Sequence, residues 1–286
     1  MATSDRIDVK KTYKLYINGE FVRSESGRSY ELKNKTGKFI ANPAQGSRKD
    51  LRDAVTAARA AHSGWANATA YNRGQVLYRV AEVLEQRKNE LITAYTLETG
   101  STQSVAQKNV LAGIDYWVWA AGWSDKIATV LGSTNPVAGP FYNFTAPESL
   151  GVVANFPIIS GGFLALSATI ASTIVTGNTS IVVANEKSPL IAITLAEILA
   201  TSDVPNGVVN ILTGKDSELQ PWVASHMEID GVEASGLNKK SLGELKIAGA
   251  QNFKRIAYFK NSTDYKEIER LSAFIEYKTV WHTVGY

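Results

Sequence analysis

Hydrophobic positions follow two different rhythms along this chain. Ahead of residue 132 they recur at three- and four-residue intervals, the spacing of amphipathic helices. Residues 51–62 read as one helix, with Ser47 as its N-cap and Asp50 in its first turn. Residues 72–100 read as a long helix that stops at Gly100, with a break near Lys88, and residues 104–132 as another. Two strand pairs precede these helices. Leu15-Tyr16-Ile17 and Glu20-Phe21-Val22 flank an Asn18-Gly19 turn, and a second pair is expected around Tyr30 and Phe39 with Gly37 in its turn.

Beyond residue 140 the rhythm changes. Residues 140–157 read as two strands separated by Pro147. Helical stretches at 163–178 and 189–203 then alternate with Val/Ile-rich strands at 179–185 and 207–214, the last starting at Gly207. Residues 231–235 and 256–259 read as further strands, with Lys254 and Arg255 closing the helix before the second. Residues 264–277 read as a helix and 278–286 as a final strand. The alternation predicts an α/β fold, a Rossmann-like parallel sheet flanked by helices. Residues 141–153 and 278–286 are expected to add a small antiparallel sheet.

Composition narrows the chemistry more than the fold. The chain has 286 residues, 44% of them hydrophobic and 20% charged, enough for one large or two ordinary domains. A net charge of +3 is too slight to name nucleic acid or an anionic membrane as a partner. Cysteine is absent, which removes disulfides, thiolate metal sites and a thiol nucleophile from this sequence. The first twenty residues hold no long apolar run. The most apolar stretch, 163–175, is broken by Ser167, Thr169, Ser172 and Thr173 and is shorter than the roughly 20 residues of a membrane span. These features predict a soluble, cytoplasmic protein. His62, His226 and His282 are scattered, so no metal site is expected, and no GxSxG elbow supports a serine triad. Trp117, Trp119 and Trp123 share one helix at spacings suited to packing.

Seven fragments carry a resemblance. "YINGEFV", "AVTAARAAHSGWANATAYNRGQVLYRVAEVLEQRKNEL", "YWVWAAGWSDKI", "PFYNFTAPESLGVV", "TGNTSIVV", "PNGVVNILTG" and "NFKRI" run in order from Tyr16 to Ile256. Together they resemble the NAD-binding half of the aldehyde dehydrogenase superfamily. After Ser262, "RLSAFIEYKTVWHTVGY" is similar to the family's extreme C-terminus, as though the catalytic domain were missing and its flanks joined. The resemblance implies an NAD-binding-like domain at 1–139 and 151–262. It also implies an oligomerisation sheet and tail at 140–150 and 263–286.

Carried over position by position, the resemblance implies a damaged active site. The family uses a cysteine nucleophile, an asparagine on the oxyanion, a glutamate base and a nicotinamide cofactor. No cysteine is present, and the glutamate position carries Phe259. Ungapped counting from Gly151 to Thr176-Gly177-Asn178 puts the family's Pro-Trp-Asn on Ile158, Ile159 and Ser160. The similar Asn155-Phe156-Pro157 falls five positions early and is treated as coincidence. In the cofactor region the ribose lysine is replaced by Val183, while Glu186 is kept. The Gly-Ser before the phosphate helix becomes Gly236-Leu237, with Lys239 and Lys240 following. Glu186 and Gly236 are therefore the candidate cofactor contacts, and none to weak NAD binding is expected.

What the resemblance implies for function is a non-catalytic companion subunit of a full-length aldehyde dehydrogenase. Its expected interface is Phe141, Tyr142, Phe144, Val280, Trp281 and Val284. An NAD(P)-binding protein without chemistry is the alternative. New chemistry on the old fold and a decayed remnant are further readings; the intact core periodicity speaks against decay.

Overall fold

The computed structural model describes residues 9–34 and 37–285. The reading of the first twenty residues falls partly on residues 1–8, outside the described residues. So do Lys35 and Thr36 beside the Gly37 turn, and the last residue of the terminal strand reading.

Twelve strands and ten helices are described. The first hairpin, β1 (Leu15–Ile17) and β2 (Glu20–Val22), turns through Asn18 and Gly19 at φ 53° and 79°. Only a pair tolerant of positive φ makes this tight turn without strain. β3 (Leu32–Lys33) and β4 (Phe39–Ala41) form the second pair. There follow α1 (Arg48–Ala66), α2 (Ala70–Gln86), α3 (Lys88–Thr99), α4 (Gln103–Ala121), α5 (Ile127–Leu131), β5 (Ser133–Asn135), β6 (Phe141–Ser149) and β7 (Val152–Asn155). Then come α6 (Gly162–Val175), β8 (Thr179–Asn185), α7 (Pro189–Leu199), β9 (Val209–Gly214), α8 (Asp216–Ser225) and β10 (Gly231–Glu233). α9 (Lys239–Ala250), β11 (Arg255–Ala257), α10 (Ile268–Ser272) and β12 (Ile275–Thr283) complete the chain.

The main sheet runs in the order β11-β10-β7-β8-β9-β1-β2. Its first five strands are parallel, and the N-terminal hairpin joins the β9 edge antiparallel through Tyr16 and Ile211. Helices cover both faces. Leu84, Trp117, Ile170 and Leu195 belong to the core on one side, and Leu51, Leu219 and Leu245 to that on the other. β8 and β9 are buried along nearly their whole length, as strands sandwiched between helix layers must be. The α1 start is closed by a capping box in which Asp50 N donates to Ser47 Oγ and Ser47 N to the Asp50 carboxylate at 2.7 Å.

The second sheet, β12-β6-β5, pairs β12 with all of β6 from Ile275 opposite Ser149 to Thr283 opposite Phe141. The predicted break at Pro147 does not occur. Pro147 lies within β6 opposite Tyr277, past the end of β5's pairing at Thr145, where β6 has one neighbour. A strand tolerates proline at such an edge. The chain instead leaves this sheet at Leu150 and Gly151. Gly151 has φ 140°, and a Cβ there would fall 2.0 Å from the Asp230 carboxylate.

Other boundaries also moved. The helix expected over 264–277 shrinks to α10, because residues from Ile275 onward are held in β12 by pairing with β6. Lys254 and Arg255 do not close a helix. α9 ends at Ala250, Phe253 turns the chain at φ 56°, and Arg255 opens β11. β11 stops at Ala257, so Phe259 follows the strand. Gly207 sits in the turn before β9 at φ 84°. The break near Lys88 falls at Arg87. Among the described residues no helix is long and apolar enough to cross a membrane.

Candidate functional site

In an open parallel sheet the ligand crevice lies at the carboxyl ends of the strands, where the winding direction reverses. Here the reversal falls between β7 and β10, neighbours whose connections run to opposite sides. That crevice is laced shut by backbone. Phe156 N donates to Glu233 O at 2.8 Å, and Gly236 N donates to Phe156 O at 2.7 Å. Gly236 is needed for this approach, since a Cβ there would sit 2.3 Å from Pro157 O. Beside it, a cavity of about 30 Å³ is lined by Pro157, Ile158, Gly162, Leu166, Asn185 and Ser188. That is room for about one water, against the roughly 300–1,000 Å³ of a ligand pocket.

The segment after β11 lies in this crevice, packed on Ser160 beyond β7 and on Glu233 and Ser235 at the end of β10. Arg270 of α10 and Glu233 at the end of β10 form an ion pair at 3.0 Å, with both side chains almost wholly buried. Glu233 also accepts from Ser235 Oγ at 2.9 Å and Thr169 Oγ1 at 3.2 Å. The Arg270 guanidinium lies 4.1 Å from the Phe259 ring centroid and 4.9 Å from that of Tyr265. Phe259 N donates to Ser235 Oγ at 2.9 Å. Tyr265 donates to Asn261 Oδ1, and Asn261 Nδ2 donates to Ser160 Oγ at 3.2 Å. Ser160 itself sits on a single 3₁₀ turn at Ile159–Gly161, held by Asn109 Nδ2 on Gly161 O at 3.0 Å. Phe259 and Ser160, far apart in sequence, are thus joined through Asn261, Tyr265 and Arg270.

The remaining candidates fall elsewhere. Val183 is buried in β8 and Leu237 is buried in the same core. Asn155 is fully buried and donates to Ser180 Oγ at 2.8 Å, so it does not face the crevice. Glu186 stands half-buried in the turn between β8 and α7, in an acidic setting. Asp216 nearby is pushed up to about 6, chiefly by burial, and Tyr30 is raised by burial and by Glu98, Glu186 and Asp216. Among the described residues no three His, Asp or Glu side chains gather as a metal site.

Sequence reasoning missed Glu98. From α3 it accepts Leu190 N at 2.6 Å and Ile191 N at 3.3 Å, closing the α7 N-terminus from a distance of 92 residues. Burial nonetheless pushes its carboxyl up to about 8. An acid raised by folding keeps its proton longer in the folded chain. Stability is therefore lost as pH rises from about 4.5 to about 8, and the loss is complete above that. Glu98→Gln keeps an acceptor and removes the charge. Its melting temperature should match that of the parent near pH 4.5 and exceed it at pH 8.5, by stability on the order of 3 kcal/mol. A pH-independent difference between the two proteins would contradict this.

A layered dinucleotide-type α/β sheet, with a small antiparallel sheet beside it, defines the class: an NAD-type α/β fold. The sequence profile described as the aldehyde dehydrogenase family matches residues 21–258, and the chain belongs to that family. It is 34% identical over 260 residues to human aldehyde dehydrogenase 1A1, and 31% over 254 residues to omega-crystallin of Enteroctopus dofleini. These alignments cover 87% and 86% of this chain, which spans about half the length of the curated relatives it matches. An aldehyde dehydrogenase from Bacillus cereus solved as an NAD+ complex superposes with TM-score 0.82 at 26% identity, covering 87% of this chain and 51% of that one.

Proposed function

We propose that this chain is a non-catalytic aldehyde dehydrogenase relative that serves as a companion subunit of a full-length, active family member. The observation that carries the reading is the filled crevice. The positions that the family resemblance assigns to base and oxyanion donor, Phe259 and Ser160, are tied up by Arg270, Tyr265 and Asn261. Phe259 has no proton to exchange, and the ring is spent on stacking a buried cation.

The second support is the edge. β12 pairs with β6 on one side, and its other side has no strand among the described residues. Trp281 is 60% exposed, with Phe141, Tyr142 and Val284 also exposed and Phe144 and Val280 half-buried. Such an edge invites strand addition from a partner sheet. NAD binding without chemistry is a second reading, favoured by Glu186 and by the NAD+ complex of the Bacillus cereus relative.

The purified chain, free of host enzymes, should not reduce NAD with simple aldehydes, and Phe259→Glu should not rescue it. Calorimetry should give NAD a dissociation constant well above the low micromolar range. Loss of the ribose and phosphate contacts at Val183 and Leu237 removes about 1–3 kcal/mol each. Aldehyde-dependent NADH formation overturns the non-catalytic reading; low micromolar NAD binding favours the second reading.

A further inference from the structure

At the opposite edge of the main sheet from β10 and β11, beyond the β1–β2 hairpin, lies a groove of about 510 Å³. Among the described residues, five cationic side chains line it, Lys10, Lys11, Lys14, Arg23 and Arg28, and no carboxylate does. Lys11 reaches Glu197 at 2.8 Å and Arg28 reaches Glu218, both outside the lining. Lys14 and Arg23 have no ion pair among the described residues. The whole chain carries only +3, and Lys11 and Arg28 are compensated from outside the lining, so Lys14 and Arg23 are the cations that concentrate charge in this concavity, held against their mutual repulsion. An anion entering the groove relieves that repulsion.

Two rings share the lining. Tyr13 is half-buried with Lys11 Nζ 5.1 Å from its centroid, and Phe39 is exposed at the start of β4. Cations beside aromatic faces suit a ligand that joins phosphates to a planar base. The volume fits a small molecule. We propose that this groove binds a nucleoside polyphosphate, with Lys14 and Arg23 on the phosphates and Tyr13 and Phe39 on the base. The site is separate from the filled crevice and does not depend on the companion-subunit reading.

The test is calorimetric titration of the whole chain with ATP, inorganic tripolyphosphate and a single-stranded oligonucleotide. ATP should bind in the micromolar range and weaken with added salt. Tripolyphosphate should bind about tenfold more weakly, for want of a base to stack. Lys14→Ala/Arg23→Ala should weaken ATP about tenfold or more, with an unchanged circular dichroism spectrum, because neither side chain belongs to a core. The idea is overturned by no binding at millimolar ATP, or by equal affinity for ATP and tripolyphosphate. It is equally overturned if the oligonucleotide binds more tightly than ATP. Loss of ATP binding in Lys239→Ala/Lys240→Ala, with Lys14→Ala/Arg23→Ala unaffected, would place the site at the crevice and refute it as well.

Discussion

Arg270→Met should lower the melting temperature by about 10 °C, the largest stability effect expected of a single substitution here. The guanidinium is buried, pairs with Glu233 at 3.0 Å, and is stacked by Phe259 and Tyr265. Methionine keeps much of the volume but strands a buried carboxylate with only the Ser235 and Thr169 hydroxyls as partners. Breaking one side of such a pair costs about 3–5 kcal/mol, most of it from the charge left behind. Glu233→Gln combined with Arg270→Met should therefore recover more than half of the loss. Thermal unfolding of both variants checks this. A double variant no more stable than the single, or a fall of under about 2 °C in the single, would show that the pair does not hold residues 259–271 in the crevice.

Trp281→Asp should weaken association with a full-length family member about thirtyfold or more, while leaving the main sheet folded. Trp281 stands on the edge strand, meets Phe141 edge-on at 5.7 Å, and lies outside both cores. A large exposed ring on an edge strand is the kind of anchor on which interfaces concentrate their energy. Aspartate removes it and places a charge that the edge of a partner sheet must desolvate. Surface plasmon resonance with an immobilised partner measures the change, and near-UV circular dichroism confirms the fold. Undiminished binding would take the interface away from β12.

The layers of the fold were legible because their signals are local. The Asn18-Gly19 turn, the Ser47 cap, the stop at Gly100 and the alternation of apolar strands with helices each depend on residues a few positions apart. β5 was missed because its three residues, Ser133–Asn135, are polar and have no period to read. α8 was missed because Pro221 interrupts it. The attachment of β1 to β9 joins positions nearly two hundred residues apart and leaves no mark in either strand.

The candidate site was legible only in part. Phe259 and Ser160 could be placed by counting along the resemblance, and the missing cysteine by inspection. What fills the site was not readable. Arg270 lies in the stretch read as a helix over 264–277, where nothing marks it for burial; its partner Glu233 is 37 residues away on β10. Glu98 was invisible for the same reason, since its partners Leu190 and Ile191 lie on another helix.

The companion-subunit account is tested most directly by the mass of the assembly this chain forms. The chain should be co-expressed with a full-length aldehyde dehydrogenase from the same genome and resolved by size-exclusion chromatography with light scattering. The account predicts a single co-eluting peak whose mass contains both chains, and its separation into two peaks when Trp281 is replaced by aspartate. A chain that elutes by itself, as a monomer or as an assembly of its own copies, with the full-length enzyme in a different peak, would contradict it.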